Sequence, residues 1–167
     1  AERDFSPIAL VGKTPTLLIG GADQPAKTLP DLVALCRAQP GKIIFGSAGS
    51  GSAQHLALEI FKARANIDVL HVPYKGSAPL MNDLMGGHVQ YCFEGMTTAT
   101  PLIQSGKVIA LAQTLQQRSK SQPNVPTVAE QGYPGFEASI WFGMVGPAKM
   151  PAAMVQRMNQ DLSLIHI

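Results

Sequence analysis

Apolar residues in this chain come in short runs broken by Gly, Pro and polar punctuation, and the spacing inside the runs alternates between strand-like and helix-like. Pro7 to Gly12 and Thr16 to Gly21 are near-continuous apolar runs, predicting two strands separated by Lys13-Thr14-Pro15. Thr28 then offers an N-cap, and Leu29, Leu32, Val33, Leu35 and Cys36 recur at helical spacing until Pro40-Gly41. Ile43-Ile44-Phe45 predicts a short buried strand. A loop of glycine and serine follows, Gly46-Ser47-Ala48-Gly49-Ser50-Gly51-Ser52, opening a helix with the stripe Leu56, Ile60 and Phe61 and Ala57 alongside. Val69 to Val72 is the next strand, ending in Pro73-Tyr74-Lys75-Gly76. Ser77 is expected to cap a helix through Leu80, Met81, Leu84 and Met85, stopped by Gly86-Gly87. Val89 to Phe93 predicts a strand, Thr97 to Ser105 a short helix, and Val108 to Ala112 another strand.

Strands alternating with helices of about ten residues predict βαβ units, a mostly parallel sheet and right-handed crossovers. After Thr114 the rhythm breaks into a polar stretch, Gln116 to Pro126. A short helix is expected over Thr127 to Gln131, a strand over Ser139 to Val145, and a last helix from Ala152 to about Leu162. Trp141, in the middle of that strand, reads as core or hinge packing.

Composition narrows the class. The chain has 167 residues, of which 46% are hydrophobic and 14% charged, which suits one domain or one domain plus part of another and argues against disorder. The 13 Lys and Arg exceed the 11 Asp and Glu by two, without a basic run, so no nucleic-acid partner is expected. Gly, Pro or charge interrupts every long apolar stretch, so no membrane span is expected. Cys36 and Cys92, lacking any CxxC or Cys/His spacing, read as small buried hydrophobes. Ala1-Glu2-Arg3-Asp4-Phe5 carries neither an initiator Met nor a signal-like apolar core, so the chain is expected to begin inside a larger gene product or after processing. Leu162-Ser163-Leu164-Ile165-His166-Ile167 is what the codons CTG TCT CTT ATA CAC ATC encode. That string resembles the mosaic-end adapter of sequencing libraries, and 162–167 is expected to be a non-native tail.

In an open parallel sheet ligands sit outside the carboxyl ends of the strands. Three loops qualify: 46–52, 73–77 and 94–98. The first has glycines for close backbone approach, serine hydroxyls, and a helix N-terminus behind it, which together suit an anion. It is not a phosphate loop, because Gly51 is followed by Ser52-Ala53 and not by Lys and Ser or Thr. A dinucleotide fingerprint starting at Gly49 would need Gly or Ala where Gln54 stands, and no Gly-x-Ser-x-Gly elbow occurs. A carboxylate remains as the natural guest. In the second loop Tyr74 can pack a ligand body and offer its hydroxyl, while Lys75 reads as a solvated turn residue. In the third, Glu94 either accepts from a ligand ammonium, hydroxyl or water, or serves the dipole of the following helix, on which Thr97 lies. His55, His71, His88 and His166 lack metal spacing, and His55 reads as a satisfied structural histidine near the cleft. With no Ser/His/Asp or paired-carboxylate arrangement, no catalytic residue, metal or cofactor is expected.

Several strings carry a family likeness. His71-Val72-Pro73-Tyr74-Lys75-Gly76-Ser77-Ala78-Pro79 and Asp83-Leu84-Met85-Gly86-Gly87-His88-Val89 resemble the Bug receptors, the extracytoplasmic substrate-binding proteins of tripartite tricarboxylate transporters. So do the Phe45 to Ser52 loop, Pro40-Gly41-Lys42, Ser105 to Ala112, Pro123 to Gly132 and Trp141-Phe142-Gly143. The likeness runs from Arg3 to Asp161. It implies an α/β type II periplasmic-binding-protein fold whose two lobes close on a carboxylate. Residues 1–26 would be hinge and first-lobe strands, 27–136 the second lobe, and 137–161 a hinge strand and first-lobe helix. The opening segment matches the middle of a family member, so much of the first lobe is expected to lie outside this chain. The resemblance maps ligand contacts onto Ser47, Gly49, Ser50, Gly51 and Ser52, with Tyr74, Glu94 and Thr97 completing the candidate site from the neighbouring loops. Glu94 stands where members commonly show Asp. The implied protein is periplasmic, needs no cofactor, is not an enzyme, and has as partners a small carboxylate and, transiently, membrane subunits of the transporter. A receptor that signals to a sensor kinase, or an enzyme acting on a carboxylate, are the rival readings.

Overall fold

The computed structural model describes residues 4–163. Its elements in chain order are β1 (Phe5–Gly21), α1 (Leu29–Ala38), β2 (Ile44–Ser47), α2 (Ala53–Ala65), β3 (Leu70–Pro73), α3 (Ser77–Met85), β4 (Tyr91–Gly95), α4 (Met96–Gln104), β5 (Val108–Gln113), β6 (Ser139–Pro147) and α5 (Ala152–Ser163). The expected α/β alternation is present. The sheet order is β3-β2-β4-β1-β5, with β6 pairing β1.

The sheet is mixed, not mostly parallel. Helical connections force β2, β3 and β4 into one direction, and β2 is parallel to both of the others. The first strand, β1, enters between β4 and β5 and runs antiparallel to each. Apolar patterning encodes burial and not direction, so this reversal left no mark in the sequence.

The two runs expected before residue 22 form one strand. Pro15 lies one residue before the first β1–β4 pair, Thr16↔Gly95, so that ladder never requires its missing N–H. Lys13-Thr14-Pro15 marks a different boundary. Residues Pro15–Ile140 form one compact unit, and residues 4–14 and 141–163 belong to a second.

Within the larger unit, period-two alternation assigns side chains to two layers. Leu18, Tyr91 and Phe93 face the cluster built with α1 and α2, whereas Leu17, Ile19 and Cys92 face the cluster built with α3 and α4. Phe61 of α2 anchors the first layer, with its ring edge-on to Phe93 and Tyr133 at 5.9 Å and to Phe136 at 6.2 Å. Cys36 and Cys92 are buried free thiols.

The helix boundaries follow the expected signals with three corrections. In α1, the Thr28 hydroxyl accepts from Asp31 N at 3.3 Å, as an N-cap should. In α2 the buried stripe is Gln54, Ala57, Leu58, Phe61 and Ala65, while Leu56 and Ile60 are 56% and 41% exposed. This helix carries apolar residues on two faces, and the polar Gln54 belongs to the inner one. Ser77 does not cap α3. Gly76, at φ +114°, takes the cap position with no side-chain bond, and Ser77 is the first helical residue. No helix forms over Thr127 to Gln131; a single turn is closed by Glu130 Oε2 accepting from Thr127 N at 2.7 Å and Thr127 Oγ1 accepting from Glu130 N at 3.0 Å.

In the smaller unit, Asn159 of α5 donates to Ile8 O at 2.7 Å and Ala148 N to Asp4 O at 3.0 Å. Trp141 is 68% exposed there, so of the core or hinge packing expected for it the core role is not met in this unit. Leu162 and Ser163 close α5, and residues 164–167 of the expected tail lie outside the described residues.

Candidate ligand-binding site

Because β3, β2 and β4 are parallel neighbours, their carboxyl ends lie on one edge of the sheet, and each leads into the N-terminus of a helix. The three candidate loops are therefore brought together. Tyr74 N donates to Ser47 O at 2.9 Å and Gly76 N to Ala48 O at 3.0 Å, which laces the second loop to the first. Ser77 Oγ donates to Glu94 Oε1 at 3.1 Å, which ties the second to the third.

In the Gly/Ser loop the hydroxyls and the amides have separate tasks. Ser47 is fully buried, and its Oγ accepts from Gly49 N at 3.2 Å, lies 3.1 Å from Gly49 O and 2.7 Å from His71 Nε2. Ser52 is the N-cap of α2 and accepts from His55 N at 3.3 Å. Ser50 and Gly51 form the exposed tip. Gly49 and Gly51 sit at φ +147° and +78°, a turn that L side chains resist. The first-turn amides of Ala53 and Gln54 have no acceptor inside the helix, as at any helix start. The Gly51 N–H donates to His55 Nδ1 at 3.0 Å. The groups left to an anion are thus Ser50 at the tip and the first-turn amides, while the two flanking hydroxyls hold the loop in shape.

Tyr74 does not offer its hydroxyl. It donates to Asp83 Oδ2 at 2.7 Å, fastening the loop to α3, and burial together with that bond pushes its pKa up to about 12. Its ring packs beside Gly46 and the inner cluster of α3. Lys75 is exposed, as expected of a turn residue, and Thr97 is exposed in the first turn of α4.

Glu94 is only 2% exposed. Its Oε1 accepts from Gly95 N at 2.8 Å as well as from Ser77, while Oε2 has no hydrogen-bond partner. Burial raises its pKa above the usual carboxylate value, and Gly95, Ser77 and the nearby Gln54 amide pull in the opposite direction. Residues from the starts of α2, α3 and α4 therefore surround one internal carboxylate. Through Gly95 N its Oε1 serves the start of α4, one of the two roles open in the sequence.

Ser77, Gln54 and His71 were not singled out for the site by their sequence. The available signal was weak: polar residues in the first turn of helices that follow a parallel strand. Ser47 and His71 stand at hydrogen-bond distance, a nucleophile–base spacing in isolation. Yet the hydroxyl is sealed from solvent and held by Gly49, and the ring stacks on His55 instead of meeting a carboxylate. Among the described residues no group of three or more His, Cys, Asp or Glu could hold a metal ion, and no helix is long and apolar enough to cross a membrane.

The family described as tripartite tricarboxylate transporter family receptor matches residues 1–164. The chain belongs to this receptor family. A protein encoded in the tcbD–tcbE intergenic region of Pseudomonas sp. is 38% identical over 164 residues, covering 98% of this chain and 49% of the relative. BugT of Bordetella pertussis is 36% identical over 161 residues, covering 96% and 49%. The chain thus spans about half the length of the curated relatives it matches. Among solved structures, the periplasmic binding protein BugD is similar at TM-score 0.86 and 37% identity, over 95% of this chain and 53% of BugD. An R. palustris protein solved with adipate gives TM-score 0.88 and 33% identity over 95% and 53%, and MatC from Rhodopseudomonas palustris with bound malate gives 0.88 and 29% over 96% and 54%. An ancestral arginine-binding protein, 13% identical at TM-score 0.56, shares the fold alone. The family and these neighbours are binding receptors, not enzymes.

Proposed function

We propose that the Pro15–Ile140 unit is the second lobe of a periplasmic solute receptor that captures a small carboxylate, of the di- or tricarboxylate or amino-acid class, for a tripartite tricarboxylate transporter. The observation that carries this reading is the separation of roles in the Gly/Ser loop: the hydroxyls of buried Ser47 and half-buried Ser52 fix the turn, while Ser50 at the exposed tip and the helix-start amides are left to an anion. Ser47, Gly49, Ser50, Gly51 and Ser52 form this cradle, with Ser47 and Ser52 supporting it from behind. Tyr74 packs the adjoining loop, Glu94 neutralises the helix starts beneath, and Thr97 lies at the exposed start of α4.

The chemistry is binding. Amides preorganised at a helix N-terminus grip a carboxylate with little reorganisation, and such charge-assisted bonds strengthen as closure excludes water. The energy of capture shifts an open–closed equilibrium, which membrane subunits would read. Adipate and malate, present in the solved relatives, are the ligands to try first. Calorimetry or NMR titration with both, against adipamide as an uncharged control, tests the reading. Binding of the acids and not the diamide is expected, with loss on Gly51→Val. Equal response to acid and amide would overturn it.

A further inference from the structure

Two histidines at the Gly/Ser loop form a unit that simple carboxylate capture does not use. His55, in the first turn of α2, stacks on His71 of β3 with ring centroids 4.1 Å apart and planes 6° apart. The Gly51 N–H donates to His55 Nδ1 at 3.0 Å, so that nitrogen carries no proton and the ring's proton sits on Nε2, 3.7 Å from Glu59 Oε1. On the other side, His71 Nε2 meets Ser47 Oγ at 2.7 Å. A hydroxyl has one proton; when Ser47 gives it to Gly49 O, His71 supplies Nε2–H to Ser47. Neutral rings therefore hold the loop at two points, Gly51 directly and Gly49 through Ser47. The charged groups facing the pair are Glu59 and Lys62 from α2, already joined at 2.8 Å; β3 contributes His71 itself and β2 the uncharged Ser47.

Building on the carboxylate reading, we infer that His55 is a positioning residue for the loop and that carboxylate capture is coupled to uptake of one proton by the His55–His71 pair. A proton arriving at His55 Nδ1 removes the acceptor of the Gly51 N–H, which turns toward the ligand anion. The ring becomes a cation between that anion and Glu59. Uptake stops at one proton, because two imidazolium rings in this stack would repel. Burial, and next the neighbouring His55, hold the His71 pKa below the ordinary histidine value. Ligand and proton then each favour the binding of the other.

The test uses this chain, titrated from pH 8 to pH 5 with the histidine ring nitrogens and the Gly51 amide followed by 15N NMR, without ligand and with millimolar adipate. Calorimetry with adipate at pH 7 in two buffers of different ionisation enthalpy counts the protons exchanged. The Gly51 amide and His55 Nδ1 are expected to move with one shared midpoint, which adipate shifts upward. Affinity should rise by up to about tenfold for each unit fall in pH. His55→Gln can still accept from Gly51 but cannot take up a proton, so the uptake should vanish in it. His71→Gln, which leaves the Gly51 contact in place, should retain the uptake, and decides the matter if the first variant fails to fold. Adipate binding with pH-independent affinity and no proton exchange would overturn the coupling and leave the carboxylate reading standing. Uptake that persists in His55→Gln would overturn the assignment to this ring. Failure of adipate and malate to bind at any pH would remove both.

Discussion

Ser77 Oγ donates to Glu94 Oε1 at 3.1 Å, joining the start of α3 to the end of β4 across the loop edge of the sheet. The bond explains why Ser77 is not the cap that its position suggests. A hydrogen bond to a buried charged acceptor outweighs one to a backbone amide that water already reaches. Ser77→Ala is therefore expected to cost about 1.5–3 kcal/mol, more than loss of an ordinary cap, in urea unfolding. A change below about 0.5 kcal/mol would show the carboxylate to be held by Gly95 alone.

Glu94 itself gives the protein a pH dependence whose sign can be worked out. Its folded pKa is raised, so the folded chain holds this proton more tightly than the unfolded chain does. The stability it confers is complete below the unfolded carboxylate pKa and is lost as pH rises through the folded value. In Glu94→Gln that loss is absent. The stability difference between variant and parent should move in favour of the variant as pH rises from about 4 to 8, the interval above the ordinary carboxylate pKa. Urea midpoints at four or five pH values measure it, and a difference that stays constant would contradict the burial argument.

The serines of the loop divide by burial. Ser47→Ala removes a fully buried hydroxyl and leaves the half-buried Gly49 N–H and His71 ring without it, and should cost about 1–3 kcal/mol. Ser52→Ala removes an N-cap, for about 1 kcal/mol. Ser50→Ala, at the exposed tip, should leave stability within about 0.5 kcal/mol and weaken only carboxylate binding. Thermal unfolding beside adipate titration separates the three. A Ser50 variant that loses stability but not affinity would move the binding groups away from the tip.

Helix α2 shows how far the sequence could be read. Its start at Ser52 and its place behind the loop were legible from turn chemistry. Its buried face was not, because Leu56 and Ile60 are apolar but exposed, whereas Gln54 is polar but buried beside Glu94. Residue type alone cannot choose between two half-apolar faces. The same holds for β1, whose two apolar runs showed that the segment is extended but not that it is one strand, nor that it inserts antiparallel between β4 and β5. At the site, the loops were legible because glycine and serine report local backbone demands. The longer-range partners Ser77 of Glu94, Asp83 of Tyr74 and His71 of Ser47 were not, since each lies on another element. Phe61→Ala should cost about 3–5 kcal/mol, and Leu56→Ala under about 1 kcal/mol. Similar losses for both would reverse the assigned face.

Two glycines of the same loop should fail in different ways, and the contrast tests what the loop is for. Gly46 is at the close of β2, where an added Cβ would fall within 3.1 Å of Val89 Cγ1 and closer still to Leu80 Cδ1. Gly46→Ala therefore overpacks the layer under α3 and should destabilise by about 1–3 kcal/mol whether or not ligand is present. Gly51 is at φ +78°, and a Cβ added there would meet nothing within 4 Å, so space is not its constraint. Gly51→Ala meets only the conformational penalty of a left-handed backbone, on the order of 1 kcal/mol. Gly51→Val adds β-branching at that angle and a side chain next to the helix-start amides, so binding should fall further than stability. Unfolding curves and adipate titrations on all three variants separate steric, conformational and binding losses. If Gly51→Val binds adipate as well as the parent does, the anion is held elsewhere and the loop is a structural turn.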